Sequence, residues 1–199
     1  YYNSYKFNSF WNSVKILDYD KIKDFKLKEF KGHIIIQSDS LIVIDSSWHL
    51  EDVILICPKI HIKNKFIGAI QCIAEEELKI TDSKLEYPSI LYSDARESEI
   101  QIESSKIEGS ILMYGLKSLI RIIGQANIKG LIYSRNDVEL NGKLEGSLIS
   151  SDIYSELHGT RIYGFLYEGS IDVTKRSRIF LSPFRTSDKT KCEILKFLS

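Results

Sequence analysis

Short bursts of alternating apolar and polar residues recur along the middle of this chain at a spacing near twenty. The bursts IHIKNKFIGAIQ, LKITDSKLEYPSIL, IQIESSKIEGSIL, IRIIGQANIKGLI and VELNGKLEGSLI begin at Ile60, Leu78, Ile100, Ile120 and Val138, in steps of 18, 22, 20 and 18 residues. A period of that length means stacked coils, with corners that tolerate small insertions.

Aligned on the period, the bursts fall into columns. Ile42 and Ile44, Ile60 and Ile62, Leu78 and Ile80, Ile100 and Ile102, Ile120 and Ile122, and Val138 and Leu140 flank Val43, His61, Lys79, Gln101, Arg121 and Glu139. Period two with one apolar side predicts a strand with one buried face. A second column, Phe66, Leu85, Ile107, Ile128, Leu144 and Ile162, is a single inward position. Lys65, Lys84, Lys106, Asn127, Lys143 and Arg161 precede it, and Glu86, Glu108 and Glu145 follow it in three coils. The third column is Val53, Ile70, Ile90, Ile111, Leu131, Leu148 and Phe165, entered through small residues, with Gly68, Gly109 and Gly146 suiting a sharp corner. The position after it is also mostly apolar: Ile54, Leu91, Leu112, Ile132, Ile149 and Leu166. If one of these columns points in, the other points out, and an outward aliphatic stripe calls for a cover. An N-terminal helix, the C-terminal segment or a partner could supply it.

Three strands per coil predict an all-β fold, a single-stranded parallel β-helix of about seven coils of 18–22 residues over 32–169. A partly helical N-terminal segment, 1–31, and a C-terminal strand and cap, 170–199, flank it. About five inward side chains give roughly 1.5–3 kcal/mol each, while ordering about nineteen residues costs roughly 1–2 kcal/mol each. One coil therefore cannot stand alone, and both ends need caps. Tyr1, Tyr2, Tyr5, Phe7, Phe10 and Trp11 put an aromatic face on the first residues. That face suits packing on the domain or the interfacial belt of a membrane anchor upstream of Tyr1. The absence of an initiator Met leads to the expectation of a processed piece of a longer product. For CEILKFLS, at the C-terminus, the expectation is closure of the open end of the helix.

Composition narrows the function. Lys plus Arg and Asp plus Glu are each 27, so no long-range field recruits nucleic acid. The 43% hydrophobic content excludes a disordered chain, and no run of eighteen apolar residues spans a bilayer. Cys57, Cys72 and Cys192 have no metal spacing and read as small buried hydrophobes. His33, His49, His61 and His158 occupy unlike columns, and Asp82, Asp94 and Glu97 lie on corners of different coils. These placements give no acid and base pair and no nucleophile motif, so the expectation is a chain that is not an enzyme, with no catalytic residue, cofactor or metal. The candidate interaction surface is the column Tyr92, Tyr133 and Tyr167, with Met113 between the first two, and the lysines Lys84, Lys106 and Lys143. A tyrosine column offers sugar stacking or structural stacking. The lysines offer an anion-binding stripe for a glycan or lipid headgroup, or a solvated face whose charges cancel against the neighbouring glutamates.

The stretches KIEGSILMYG, NIKGLIYSRNDVELNGKLEGSLISSD and TRIYGFLYEG, within Ile100 to Gly169, resemble the bactofilins, polymer-forming bacterial cytoskeletal β-helix proteins. The resemblance implies a right-handed helix and a cytoplasmic, self-associating scaffold. Coils of up to 22 residues and long non-repeating ends depart from that pattern. The combination DVILICPKIHIKNKFIGAIQCIA followed by LEYPSIL is similar to membrane-anchored β-helix proteins found with bacterial pseudopilin-type machinery. That similarity implies an envelope domain on the periplasmic or cell-surface side. The repeat, the aromatic start and the missing catalytic set give the leading expectation, a structural or adhesive envelope domain with protein partners or self-association, and the cytoplasmic polymerising scaffold is the second. The envelope domain would meet a membrane only through a segment upstream of Tyr1. A glycan-binding or glycan-cleaving module is the third alternative.

Overall fold

The computed structural model of this chain describes residues 14–175. Its elements run β1 (Lys15–Asp18), α1 (Tyr19–Ile22), β2 (Lys28–Gln37), β3 (Leu41–Ile44), β4 (Trp48–Ile62), β5 (Ile67–Thr81), β6 (Lys84–Ser93) and β7 (Glu99–Glu103). There follow β8 (Lys106–Met113), β9 (Leu119–Ile123), β10 (Asn127–Ser134), β11 (Val138–Leu140), β12 (Lys143–Ile149), β13 (Ile153–Leu157), β14 (Thr160–Tyr163), β15 (Ser170–Ile171) and a 3-10 turn at Val173–Lys175. The fifteen strands form one continuous sheet, wound into a β-solenoid of about seven turns. Every pairing is parallel except β13 with β14, so each strand meets its equivalent one coil away.

Three faces follow from the period-two pattern. The first face stacks β3, the C-terminal parts of β4 and β5, then β7, β9, β11 and β13. Its inward residues Ile60, Ile62, Leu78, Ile80, Ile100, Ile102, Ile120 and Ile122 are completely or almost completely buried, as the alternation predicts. The second and third faces share long strands that bend at a corner, as in β8, β10 and β12. Leu85, Ile107, Ile128 and Leu144 fill the second face, while Leu55, Cys72, Leu91, Ile111, Ile132 and Leu148 line the third. Cys57 and Cys72 are buried free thiols, and burial pushes both thiols up from their ordinary pKa.

The bend itself is built from small residues. Ser89, Gly109, Gly130 and Gly146 stack in register. A Cβ on Gly109 would lie 1.8 Å from the Ser89 carbonyl oxygen, and one on Gly146 1.8 Å from that of Gly130. Adjacent coils approach too closely at Gly109 and Gly146 for any side chain.

Several sequence expectations shift by register. Phe66 was expected above Leu85, yet Leu85 pairs with Gly68. The Phe66 ring lies against that glycine, within 2.6 Å of where its Cβ would be, and so fills the glycine's place in the column. In the third column, Ile90 and Leu131 point outward, and Leu91 and Ile132 take their inward places opposite Ile111. Two causes produce the slip: extra residues at the corner between Leu85 and Ser89, and alignment of Gly130 with Gly109 instead of Ser110. Ile162 leaves the solenoid on the antiparallel β14, and it is Ile171 that pairs with Leu144.

Strand pairing also starts before Gly32, because β1 pairs with β2, and β2 pairs with β4 from Lys28. Helix within the described part of 1–31 amounts to the four residues of α1, where the Asp18 carboxylate accepts from the Asp20 amide at 3.0 Å. Tyr19 and Ile22 turn inward there, the Tyr19 ring stacks on Trp48 at 5.7 Å, and its hydroxyl donates to the Val43 carbonyl at 2.9 Å. The aromatic run Tyr1–Trp11 and the terminal CEILKFLS lie outside the described residues.

Candidate functional site

The lysines stand where the first face turns into the second. Asp82, Ser104 and Gly124 take φ of +47°, +48° and +64°, which gives this corner its tight left-handed step. Just beyond, Ser83 and Ser105 are buried and form a ladder. The Ser83 amide donates to the Ser105 hydroxyl at 3.0 Å, and the two hydroxyls donate to the Thr81 and Glu103 carbonyls at 2.8 and 2.7 Å. The next residues are Lys84 and Lys106, paired across strands, followed by Asn127 and Lys143 in the same row. Two shallow recesses flank the row. One, of about 710 Å³, is lined by Lys65, Phe66, Ser83, Lys84 and Lys106. The other, of about 690 Å³, is lined by Lys106, Asn127, Asn141, Lys143, Glu156 and Tyr167.

The row is not a bare cationic stripe. Lys84 donates to Glu86 at 2.6 Å, and Lys143 lies 2.6 Å from Glu145, each two residues along its own strand. Those bonds raise both ammonium pKa values, and Lys143 holds the Glu145 carboxyl below its ordinary value. Lys106 has no ion-pair partner among the described residues, and Asn127 beside it carries no charge. A polyanion meeting this row would compete with the glutamates for two of the three ammonium groups.

The tyrosines divide between two corners. Tyr92 and Tyr133 both sit opposite Leu112 in the strand register, on the outer side of the third face. Met113, expected between them, is buried and opposes Ser93 and Ser134. The ring between them belongs to Tyr114, with centroids 5.9 Å from Tyr92 and 4.8 Å from Tyr133. Strict alternation through Ile111, Leu112, Met113 and Tyr114 carried that signal. Tyr167 is elsewhere, in the recess beside Lys106 and Lys143, where its amide donates to the Ser155 hydroxyl at 2.9 Å. The Tyr92, Tyr114 and Tyr133 rings are tilted by 47° and 38° to their neighbours, so each packs against another ring, whereas sugar stacking requires an open face.

The sequence did not reveal the outer row of the first face as a network. His61 and Glu77 are joined through Nε2 and Oε1. Arg121 lies 3.7 Å from Glu99 and donates from Nε to Glu139 at 2.7 Å, which raises the guanidinium pKa further. Glu139 is only 2% exposed although it points away from the core. Tyr154, opposite it on β13, is likewise buried and lies under Arg161 and against Tyr163 of the β13–β14 hairpin. Asn141 donates to Glu139 at 3.2 Å and completes the pocket around that carboxylate.

Among the described residues, the third face has the most apolar outer surface. Its two adjacent outward columns hold Ile16, Ile35, Ile54, Ile56, Ile73, Ile90, Tyr92, Leu112, Leu131, Tyr133 and Ile149, interrupted by Gln37, Gln71, Ser110 and Ser147, and Leu131 is itself buried. Among the described residues, no group of three His, Cys, Asp or Glu side chains is placed to hold a metal, and no helix is long and apolar enough to cross a membrane.

The molecule thus belongs, by its architecture, to the parallel β-solenoids. Comparison with known proteins finds no matching family model, no matching curated protein and no matching solved structure.

Proposed function

We propose that this chain is a non-enzymatic structural domain of a bacterial envelope protein, a β-solenoid rod carried by a tether that precedes Tyr1. The observation that supports the structural role is how the polar side chains outside the core are used. On the first and second faces they bind one another, as in His61 with Glu77, Arg121 with Glu99 and Glu139, Lys84 with Glu86 and Lys143 with Glu145. Side chains spent in this way stiffen a surface and leave few groups poised toward a substrate. The tether rests on the aromatic run at the start of the chain and on the resemblance to anchored β-helix proteins.

Fractionation of the full gene product tests this reading. Recovery with membranes, released by detergent and not by salt, is the expected result. Recovery in the soluble cytoplasmic fraction overturns the envelope assignment.

A cytoplasmic scaffold that polymerises end to end is the second reading, and one observation favours it. β15 pairs only with Lys143 and Leu144, so Glu145–Ile149 of β12 has no strand beyond it among the described residues. An open parallel edge invites another strand. Filaments of purified protein in electron micrographs would move this reading into first place. The glycan module has weaker support, because Tyr92 and Tyr133 both pack against the Tyr114 ring.

A further inference from the structure

Three kinds of group that the rest of the molecule leaves unused line one recess, the one of about 690 Å³ beside Lys106 and Tyr167. Lys106 is the first. Glu108 follows it two residues along its strand, as Glu86 follows Lys84 and Glu145 follows Lys143, yet the Lys106 ammonium joins neither that carboxylate nor any other among the described residues. Tyr167 is the second. Tyr92, Tyr114, Tyr133, Tyr154 and Tyr163 each pack against another aromatic ring, whereas the Tyr167 ring meets none among the described residues and is 40% exposed. Its backbone is nonetheless fixed, because the amide donates at 2.9 Å to the hydroxyl of fully buried Ser155, which donates in turn to the Phe165 carbonyl at 3.2 Å.

The third is a pair of amides. The side-chain oxygens of Asn127 and Asn141 are buried without a hydrogen-bond partner, and both residues line the same recess. Buried acceptors are rarely left in that state. Asn141 still donates to Glu139 at 3.2 Å, but the Asn127 side-chain amide makes no hydrogen bond among the described residues, so it is free to turn its oxygen toward the recess.

These groups select a ligand by their chemistry. An open ring face takes the apolar side of a sugar ring, an unpaired ammonium takes a carboxylate, and amide oxygens accept from hydroxyls. Lys143 is occupied by Glu145, which leaves one ammonium for one negative charge. Glu156 and Glu168, exposed on the same lining, accept from further hydroxyls and repel a dianion, which disfavours a phosphate headgroup. We propose that this recess binds a uronic acid unit of an acidic polysaccharide, with the ring on Tyr167, the carboxylate on Lys106 and hydroxyls toward Asn127 and Asn141. The inference adds a binding site to the structural rod, involves no cleavage, and does not depend on where in the cell the rod resides.

Tetramers of galacturonic, glucuronic and mannuronic acid, the methyl ester of each, and inorganic phosphate are the probes, titrated calorimetrically into the full chain. At least one acidic tetramer should bind, and its ester about tenfold more weakly, the size of one lost charged hydrogen bond. Lys106→Met and Tyr167→Ala should each weaken binding about tenfold, while Lys84→Met, in the same row but outside this recess, should leave it unchanged. If either of the first two variants fails to keep its strand circular dichroism, the Asn127 side-chain amide resonances of the unsubstituted chain replace it: they should shift with the acidic tetramer and not with its ester. No binding of any tetramer at millimolar concentration overturns the proposal, as does equal affinity for the ester or binding indifferent to Lys106→Met. Phosphate binding without tetramer binding would show a simple anion site, and that too overturns it.

Discussion

At Gly109 the side chain is decided by a single contact, since a Cβ there meets the Ser89 carbonyl oxygen at 1.8 Å and neither backbone can retreat without breaking the stack. Gly109→Ala should cost about 3 kcal/mol. Gly32 is the informative comparison: its φ of +83° strains any replacement, but a Cβ would meet nothing within 4 Å. Gly32→Ala should therefore cost only about 1 kcal/mol, and urea titrations of the two variants measure the contrast. Asp45 gives a second test at this scale. The Ser47 hydroxyl and amide donate to its carboxylate at 2.6 and 2.9 Å and hold its pKa below the ordinary aspartate value. A depressed folded pKa contributes stability that is present above the unfolded value and is lost as pH falls through the folded one. Ser47→Ala should thus cost about 0.5–1 kcal/mol at neutral pH. The difference should close on acidification below the aspartate range, as stability curves for both proteins at a series of pH values would show.

Among the elements, β13 and β14 stand out because they leave the parallel pattern. Their hairpin turns at His158 and Gly159, both at positive φ, and returns alongside β13 as the edge strand of the sheet. It places Tyr154 opposite Glu139 and Arg161 over the Tyr154 ring, which explains why an outward carboxylate is buried. Arg121→Met would leave that carboxylate without its cation. The expected loss is about 2–3 kcal/mol, at the low end for a broken buried pair because Arg121 keeps partial contact with water. The double variant Arg121→Met, Glu139→Leu should recover most of the loss, and chemical denaturation of the three proteins is the measurement. Strand elements were legible in the sequence wherever strict alternation fixed which side chains point inward, as at Ile100 and Ile102. Register between coils was less legible. The longer corner before Ser89 and the Phe66 ring at Gly68 displace a column without changing its composition, and only backbone pairing reveals that. The tyrosine stack failed for the same reason, with Met113 counted outward where Tyr114 belongs. The hairpin reads as one more coil in sequence, because TRIYGFLY keeps the apolar rhythm while its strand runs backward.

At the scale of the whole molecule, stability is distributed unevenly. Each central coil shares hydrogen bonds and stacked aliphatics with two neighbours, whereas a terminal coil has one. The ends also differ from each other. Tyr19, Ile22, Phe30 and Trp48 gather into an aromatic and aliphatic cluster at the first coils, beside exposed Ile16, Phe25 and Leu27, while at the last coils Ile149, Tyr163, Phe165, Tyr167 and Val173 are all exposed. Native-state hydrogen exchange should accordingly be slowest in β5, β7 and β8 and fastest in β14 and β15, with opening spreading inward from the C-terminal side. Uniform protection along the solenoid would show instead that the coils open as one cooperative unit. The fold class was the easiest property to see in the sequence because the period is a property of the whole chain. The role of the third face was visible only as a question, since alternation says that a stripe points outward and is silent on what meets it.

The pairing of Lys84 with Glu86 and of Lys143 with Glu145 closes inside a single strand, and the corner glycines meet only their counterparts one coil away. Along the second face a coil therefore carries its own counter-charges and repeats its fitting surfaces above and below, whereas the pairs of the first face, His61 with Glu77 and Arg121 with Glu99 and Glu139, tie neighbouring coils together. Duplication or excision of one coil's worth of gene would rejoin matching surfaces and change the reach of the molecule in increments of about 4.8 Å. Length in such a protein is a quantity that evolution can adjust step by step, like the marks on a ruler, without redesigning what lies between the ends.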